Sequence, residues 1–108
     1  MTTFELANEL TQRRESGRLY REFLRVPAMS AGVYVLPVGG VDPQKPHAQD
    51  ELYYVVSGRA TVRVGEEERS VQSGSILFVA AGVEHRFHTI LEELTLLVFF
   101  APAESETG

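Results

Sequence analysis

The chain has 108 residues, 44% of them hydrophobic and 23% charged, with a net charge of −5 and no cysteine. That length holds one hydrophobic core of ordinary size, and the composition is that of a folded domain rather than a disordered segment or a coiled coil. The acidic balance, with no dense Lys/Arg block, lacks the electrostatic footprint of a nucleic-acid binder, and the missing cysteines remove disulfide frameworks, thiolate metal sites and cysteine nucleophiles.

The expected organisation is a single domain over 1–108, with a helical segment over 1–17 and a β-barrel over about 19–102. The first ten residues have no basic stretch followed by an apolar run, so they do not read as a secretory signal. Near Leu94 to Ala103 the chain is apolar, but for fewer residues than the roughly 20 that cross a bilayer. These readings predict a cytoplasmic protein with no membrane and no nucleic-acid partner.

The first element reads as a short helix from about Thr3 to Glu15. Thr2 followed by Glu5 fits a capping box, Leu6 and Leu10 share a face, Arg13 and Arg14 suit the negative C-terminal end, and Gly17 is a stop signal. Its plain role is to lie against the outside of the main body.

After Gly17 the texture changes to strands. Leu19–Val26, Gly32–Val38, Glu51–Val56, Ala60–Val64, Ser70–Val71, Ile76–Val79, His85–Thr89 and Leu94–Phe100 are short segments, mostly β-branched or aromatic, separated by Gly, Pro, Ser or acidic turns. Eight short strands with no helix between them point to an all-β sandwich or barrel. Ser57-Gly58 and Gly65-Glu66 read as hairpins, and Ser73-Gly74-Ser75 as another reversal. From Arg59 to Val64 the apolar residues fall on even positions, so one face packs while the other meets water. Leu94 to Phe100 is apolar on both faces. A second subunit covering its outer face would make the protein a homodimer; the N-terminal helix covering it is the alternative.

Two stretches place histidine among polar residues where a strand should pack. One runs from Gly40 through Gln44, Lys45, His47 and Glu51 to Gly58. The other runs from Gly74 through Gly82 and His85 to His88 and Thr89. Together they resemble the two motifs of the cupin superfamily over about residues 40–89. The family's first motif places a His-x-His ahead of a glutamate, with a glycine after six intervening residues; here His47, Glu51 and Gly58 keep that spacing, and Lys45 stands where the first histidine would be. In the second motif Gly74, Gly82 and His85 keep every interval, with Ala80 in place of the proline and Thr89 in place of the asparagine.

The resemblance implies a double-stranded β-helix, a jelly-roll barrel with a short N-terminal helix in front of it, and a metal site built from His47, Glu51 and His85. Two imidazoles and a carboxylate brought to one point leave coordination positions open for water, oxygen or substrate. Iron, manganese, zinc and nickel all suit such a set. For the fourth ligand Gln44 is the first candidate, because Pro43 and Pro46 can turn its amide inward; Gln49 and water are the others. Lys45, normally protonated, is a poor ligand and reads as a surface residue. His88, three residues past His85, points to the opposite face. Tyr53, Val55 and Phe87 share the parity of Glu51 and His85 and line the same interior.

The functional expectation is a small metal-binding cupin that acts on a small organic molecule, as a metal-dependent dioxygenase. A non-catalytic small-ligand-binding module is an alternative. So is a sugar isomerase or epimerase, for which Lys45, Arg86 and Tyr53 would supply the acid–base groups.

Overall fold

A computed structural model describes residues 1–104 of the chain; the last four positions of the expected domain, 105–108, lie outside the described residues. One helix, α1 (Leu6–Ser16), precedes six strands: β1 (Tyr20–Val26), β2 (Met29–Leu36), β3 (Asp50–Val64), β4 (Glu67–Gln72), β5 (Ile76–Val79) and β6 (His85–Ala101). All pairings are antiparallel, in the order β1-β2-β6-β3-β4, with β5 on the other edge of β3.

The helix begins later than its sequence suggests. Glu5 is the N-cap, in extended conformation, and no side chain caps the first turn, so the capping box of Thr2 and Glu5 does not form. Phe4 instead packs on Phe23 of β1 with ring centroids 4.8 Å apart, which draws the residues ahead of Leu6 along the sheet. The stop is as expected: Gly17 takes the left-handed conformation at φ 73° and closes the helix through its N–H to the Arg14 carbonyl. Glu9 is buried and ion-paired with Arg21 of β1, whose Nη2 also donates to Gln12 Oε1 at 2.7 Å. The helix is thereby fastened across β1 and β2.

Eight expected strands become six because two pairs are continuous. Ser57-Gly58 is no hairpin; β3 continues through it without a break, and likewise β6 joins the His85 and Leu94 segments. Each long strand instead carries an irregularity that changes its parity. In β3 the inward residues are Glu51, Tyr53 and Val55, then Ala60 and Val62, odd numbers giving way to even where the register with β6 shifts. In β6 they are His85 and Phe87, then Ile90, Leu94 and Leu96, and the change falls at Thr89, a non-glycine residue at φ 51°. An extra residue in one strand bends it and turns its next side chain over, which is what keeps one apolar face inward around a corner.

The corner folds the sheet onto itself. The start of β3 pairs with β5 and the end of β6, while the end of β3 pairs with β4 and the start of β6. Tyr53 of the first half meets Phe87 of the second edge to face at 5.1 Å, inside a core that also holds Leu36, Val55, Val62, Leu94, Leu96 and Val98. Gly58 sits at the bend at φ 100°, and a Cβ there would strike the Glu93 backbone. Outside the barrel, Ala31, Val33 and Val35 of β2 are almost fully buried on the side where α1 lies. Leu97 and Phe99 of β6 are only partly covered.

Candidate metal centre

Three elements bring the site together. His47 and Gln44 lie on the loop between β2 and β3, Glu51 is the first inward residue of β3, and His85 opens β6. The two loops that carry the histidines are tied: the Gly82 N–H donates to the His47 carbonyl at 2.7 Å and the Ala81 N–H to Asp50 Oδ1 at 2.8 Å. Gly82 holds its end of this link at φ 78°, where a residue with a Cβ is strained.

One donor atom each from His47, Glu51 and His85 lies within 4.8 Å of the other two. The imidazole centroids are 6.0 Å apart. His85 and Glu51 are buried, and the ring of His47 is partly exposed at the rim. His85 Nδ1 faces the Val83 carbonyl at 3.1 Å, an acceptor, so Nδ1 carries the proton and Nε2 turns inward. There it meets Glu51 Oε1 at 3.2 Å and Gln44 Oε1 at 3.2 Å.

Which end of the Gln44 amide points inward is set by Asp42, a buried carboxylate that only accepts. Gln44 Nε2 donates to Asp42 Oδ2 at 3.0 Å, which leaves Oε1 facing the site. Asp42 is itself held by the Tyr34 hydroxyl at 2.5 Å, the Gln44 N–H at 3.2 Å and the Phe87 N–H at 2.9 Å. The Tyr53 hydroxyl donates to Gln44 Oε1 at 2.7 Å and lies 3.0 Å from His85 Nε2. Its single proton serves only one of them.

Lone pairs of His85, Glu51 and Gln44 therefore converge, and Glu51 Oε2 is buried with no hydrogen-bond partner. An unpaired buried carboxylate oxygen is expensive to leave unsatisfied. A cation at the centre resolves both problems, and two imidazoles with a carboxylate fit a divalent transition metal.

The electrostatics fit the same picture. Burial disfavours a charged His85, but its hydrogen bonds to Glu51 and the Val83 carbonyl, with the charges of Glu51 and Asp42, outweigh burial and raise its pKa above the ordinary 6.5. A proton on His85 is thus held where a metal would sit. His47 is shifted the other way, mainly by burial, with His85 adding to the effect against Glu51 and Asp42. Burial and the Glu51 charge push the Tyr53 phenol well up, so it stays a neutral donor.

Other residues singled out in the sequence fall elsewhere. Lys45 is exposed, apart from the buried side chains of the site. His88 lies on the outer face, 3.0 Å from Glu68 Oε1 and 2.9 Å from Thr89 Oγ1. Gln49 is buried, and it is Gln44 that meets His85 and Tyr53. Arg86 and Lys45 are exposed, while Tyr53 is buried. Two participants were not found from the sequence. Asp42 orients Gln44, and Glu104, near the C-terminus, places Oε2 3.2 Å from His47 Nδ1. An aspartate in a loop and a glutamate in a polar tail carry no spacing signal of their own.

The profile of the cupin domain family matches residues 32–100. Uncharacterized protein SCO3923 of Streptomyces coelicolor is 50% identical over 105 residues, covering 97% of this chain and all of that one. Among solved structures, BH2720 from Bacillus halodurans superposes with a TM-score of 0.78 at 19% identity, over 99% of this chain and 86% of that one. TT1209 from Thermus thermophilus gives 0.72 at 27% identity, over 95% and 99%.

Proposed function

The chain belongs to the cupin domain family, and from that membership we propose that it binds one divalent transition metal through His47, Glu51 and His85, with Gln44 as fourth ligand, and acts on a small organic molecule as an oxygenase. The observation that carries this reading is that one ligand atom each of His47, Glu51 and His85 lies within 4.8 Å of the other two, with the Gln44 oxygen beside His85 and a buried Glu51 Oε2 that has no hydrogen-bond partner. Iron and manganese suit the oxygenase reading, with nickel and zinc as other occupants of the same ligands. When bound, such a metal supplies Lewis acidity and open positions for oxygen or a chelating substrate.

The chain's own residues provide the rest. Asp42 keeps the Gln44 oxygen inward, and Tyr53 offers a neutral phenol beside it. Phe87 and Val55 wall the interior against water. A cleft of about 510 Å³ reaches Gln44 and His85 from outside, between Arg63, Glu84 and Arg86, and has room for a small molecule.

A second reading, a non-catalytic binding module, is favoured by the exposed Lys45: a neutral amide replaces the family's first imidazole, which alters what the metal can do. Two measurements decide. Elemental analysis of protein purified without added metal should give near-stoichiometric transition metal, and its absence even after reconstitution would count against the site. Oxygen consumption with catechols, thiols or diketones should follow for an oxygenase; a loaded protein that consumes none is a binder.

We propose further that two copies pair through the outer face of β3, β5 and β6. Leu52, Tyr54, Ile76 and Phe78 are 41%, 38%, 66% and 60% exposed there and are neighbours across the strands, next to the half-covered Leu97 and Phe99. The helix contacts only the β1–β2 end of this same face, where it lies over Ala31 and Val33, and an apolar patch left exposed beyond it can pair with its copy about a two-fold axis. Light scattering should give the mass of a dimer for the natural chain and of a monomer for Phe78→Glu.

A further inference from the structure

The C-terminal strap ends on the rim of the metal centre. After β6 the chain is fastened along the barrel mouth by backbone atoms: the Ala103 N–H donates to the Pro27 carbonyl at 3.3 Å, the Glu104 N–H to Ser30 Oγ at 2.9 Å, and Arg25 Nη2 to the Glu104 carbonyl at 2.7 Å. With its main chain held on both sides, Glu104 turns its carboxylate toward His47. Oε2 stands 3.2 Å from His47 Nδ1. The ring of His47 is held as well by Phe100, edge to face at 5.0 Å.

We propose that Glu104 is the positioning residue of the metal centre, accepting the Nδ1 proton of His47 so that Nε2 presents its lone pair to the metal. The inference rests on the metal-binding reading of the site and adds a role for the strap. Its logic is the one His85 already displays. A neutral imidazole has one N–H and one lone pair, and whichever nitrogen faces an acceptor keeps the proton. For His85 that acceptor is the Val83 carbonyl. His47 needs an acceptor of its own, and Glu104 occupies the position. A carboxylate there does more than a carbonyl, because it makes the ring a stronger donor to the metal as well as orienting it.

The strap also explains how a histidine on a loop can be a precise ligand. His47 follows Pro46 on the loop ahead of β3, and its ring is the least buried of the three ligands. Loop ligands are imprecise unless a second set of contacts locks them. Phe100 limits the tilt of the ring, and Glu104 fixes its rotation.

Because the tethers of the strap are to the main chain of Glu104, removing its carboxylate leaves the strap anchored. The test compares zinc or manganese binding by the natural chain, Glu104→Ala, Glu104→Gln and His85→Ala, together with ¹⁵N spectra of the imidazoles in metal-free protein. Glu104→Ala should weaken the metal about 10–100-fold, with an unchanged melting temperature and a shift of His47 away from the Nδ1–H tautomer. Glu104→Gln keeps an acceptor without the charge and should lose less. A purely structural glutamate would move the melting temperature and leave the tautomer alone. If the natural chain binds metal, His85→Ala abolishes it and Glu104→Ala binds as the natural chain does, the role of Glu104 is overturned while the metal centre stands. If the natural chain binds no metal, both fail together.

Discussion

Gln44 gives its amide nitrogen to Asp42 Oδ2 at 3.0 Å, and that one bond decides that an oxygen, not an N–H, faces His85 and Glu51. A donor at that place would fill the centre with hydrogen bonds; an acceptor leaves it open to a cation. Gln44→Ala should therefore weaken metal binding by about tenfold or more, as changes around metal ligands do. Asp42→Asn, which lets the amide turn over, should weaken it as well and also cost stability, since Tyr34 and the Phe87 N–H lose a charged acceptor. Metal titration followed by calorimetry reads both effects; full affinity in Gln44→Ala would remove it from the ligand set.

The two histidines of β6 should separate cleanly. His85→Ala removes the buried ligand and should abolish metal binding while the β-rich spectrum is kept. His88 bonds to Glu68 and Thr89 on the outer face, so His88→Ala should keep the metal and change stability by no more than about 0.5 kcal/mol. Metal retained at full occupancy in His85→Ala would refute the assignment.

Metal and proton compete for His85. Its pKa is raised above 6.5 by Glu51, Val83 and Asp42 despite burial, so in the metal-free protein it holds a proton over a range extending above that value and must release it to bind. His47, lowered chiefly by burial, loses its proton at lower pH and adds little to the exchange near neutrality. Metal affinity should fall as pH drops through this range, and binding should expel more protons near pH 6.5 than at about pH 8. Calorimetry in two buffers of different ionisation heat measures the release. Equal release at both values would contradict the shift of His85.

Gly58 should tolerate no side chain. It combines a left-handed backbone with the close approach of the Glu93 main chain, so Gly58→Ala should destabilise the protein by more than the roughly 1–2 kcal/mol that a left-handed residue costs by itself. Thermal melting reads this, and an unchanged midpoint would mean the bend can relax around a methyl group.

What is legible in the sequence divides along physical lines. Strand character, the hairpin at Gly65-Glu66 and the reversal at Gly74 are readable, because each depends on residues adjacent in the chain. That His47, Glu51 and His85 come together is readable from motif spacing; Gln44 is readable as a candidate, but the bond that turns its oxygen inward comes from Asp42 and not from the flanking prolines. Ser57-Gly58 misleads because a glycine at positive φ serves a turn and a bulge equally well, and only the pairing partner, here the middle of β6, distinguishes them. The helix start misleads because Phe4 finds a tertiary partner in Phe23, which no local pattern reveals. Asp42 and Glu104 stay hidden for the same reason: what they do depends on side chains brought to them by the barrel.

The most direct test of the metal centre is a crystal structure of protein loaded with iron, manganese, zinc or nickel, with anomalous scattering recorded at the edge of the metal. One strong peak is expected, bonded to both imidazoles and to Glu51 at roughly 2.0–2.2 Å, with the Gln44 oxygen turned toward it. A peak elsewhere on the molecule, or none between His47 and His85 at full loading, would contradict the account.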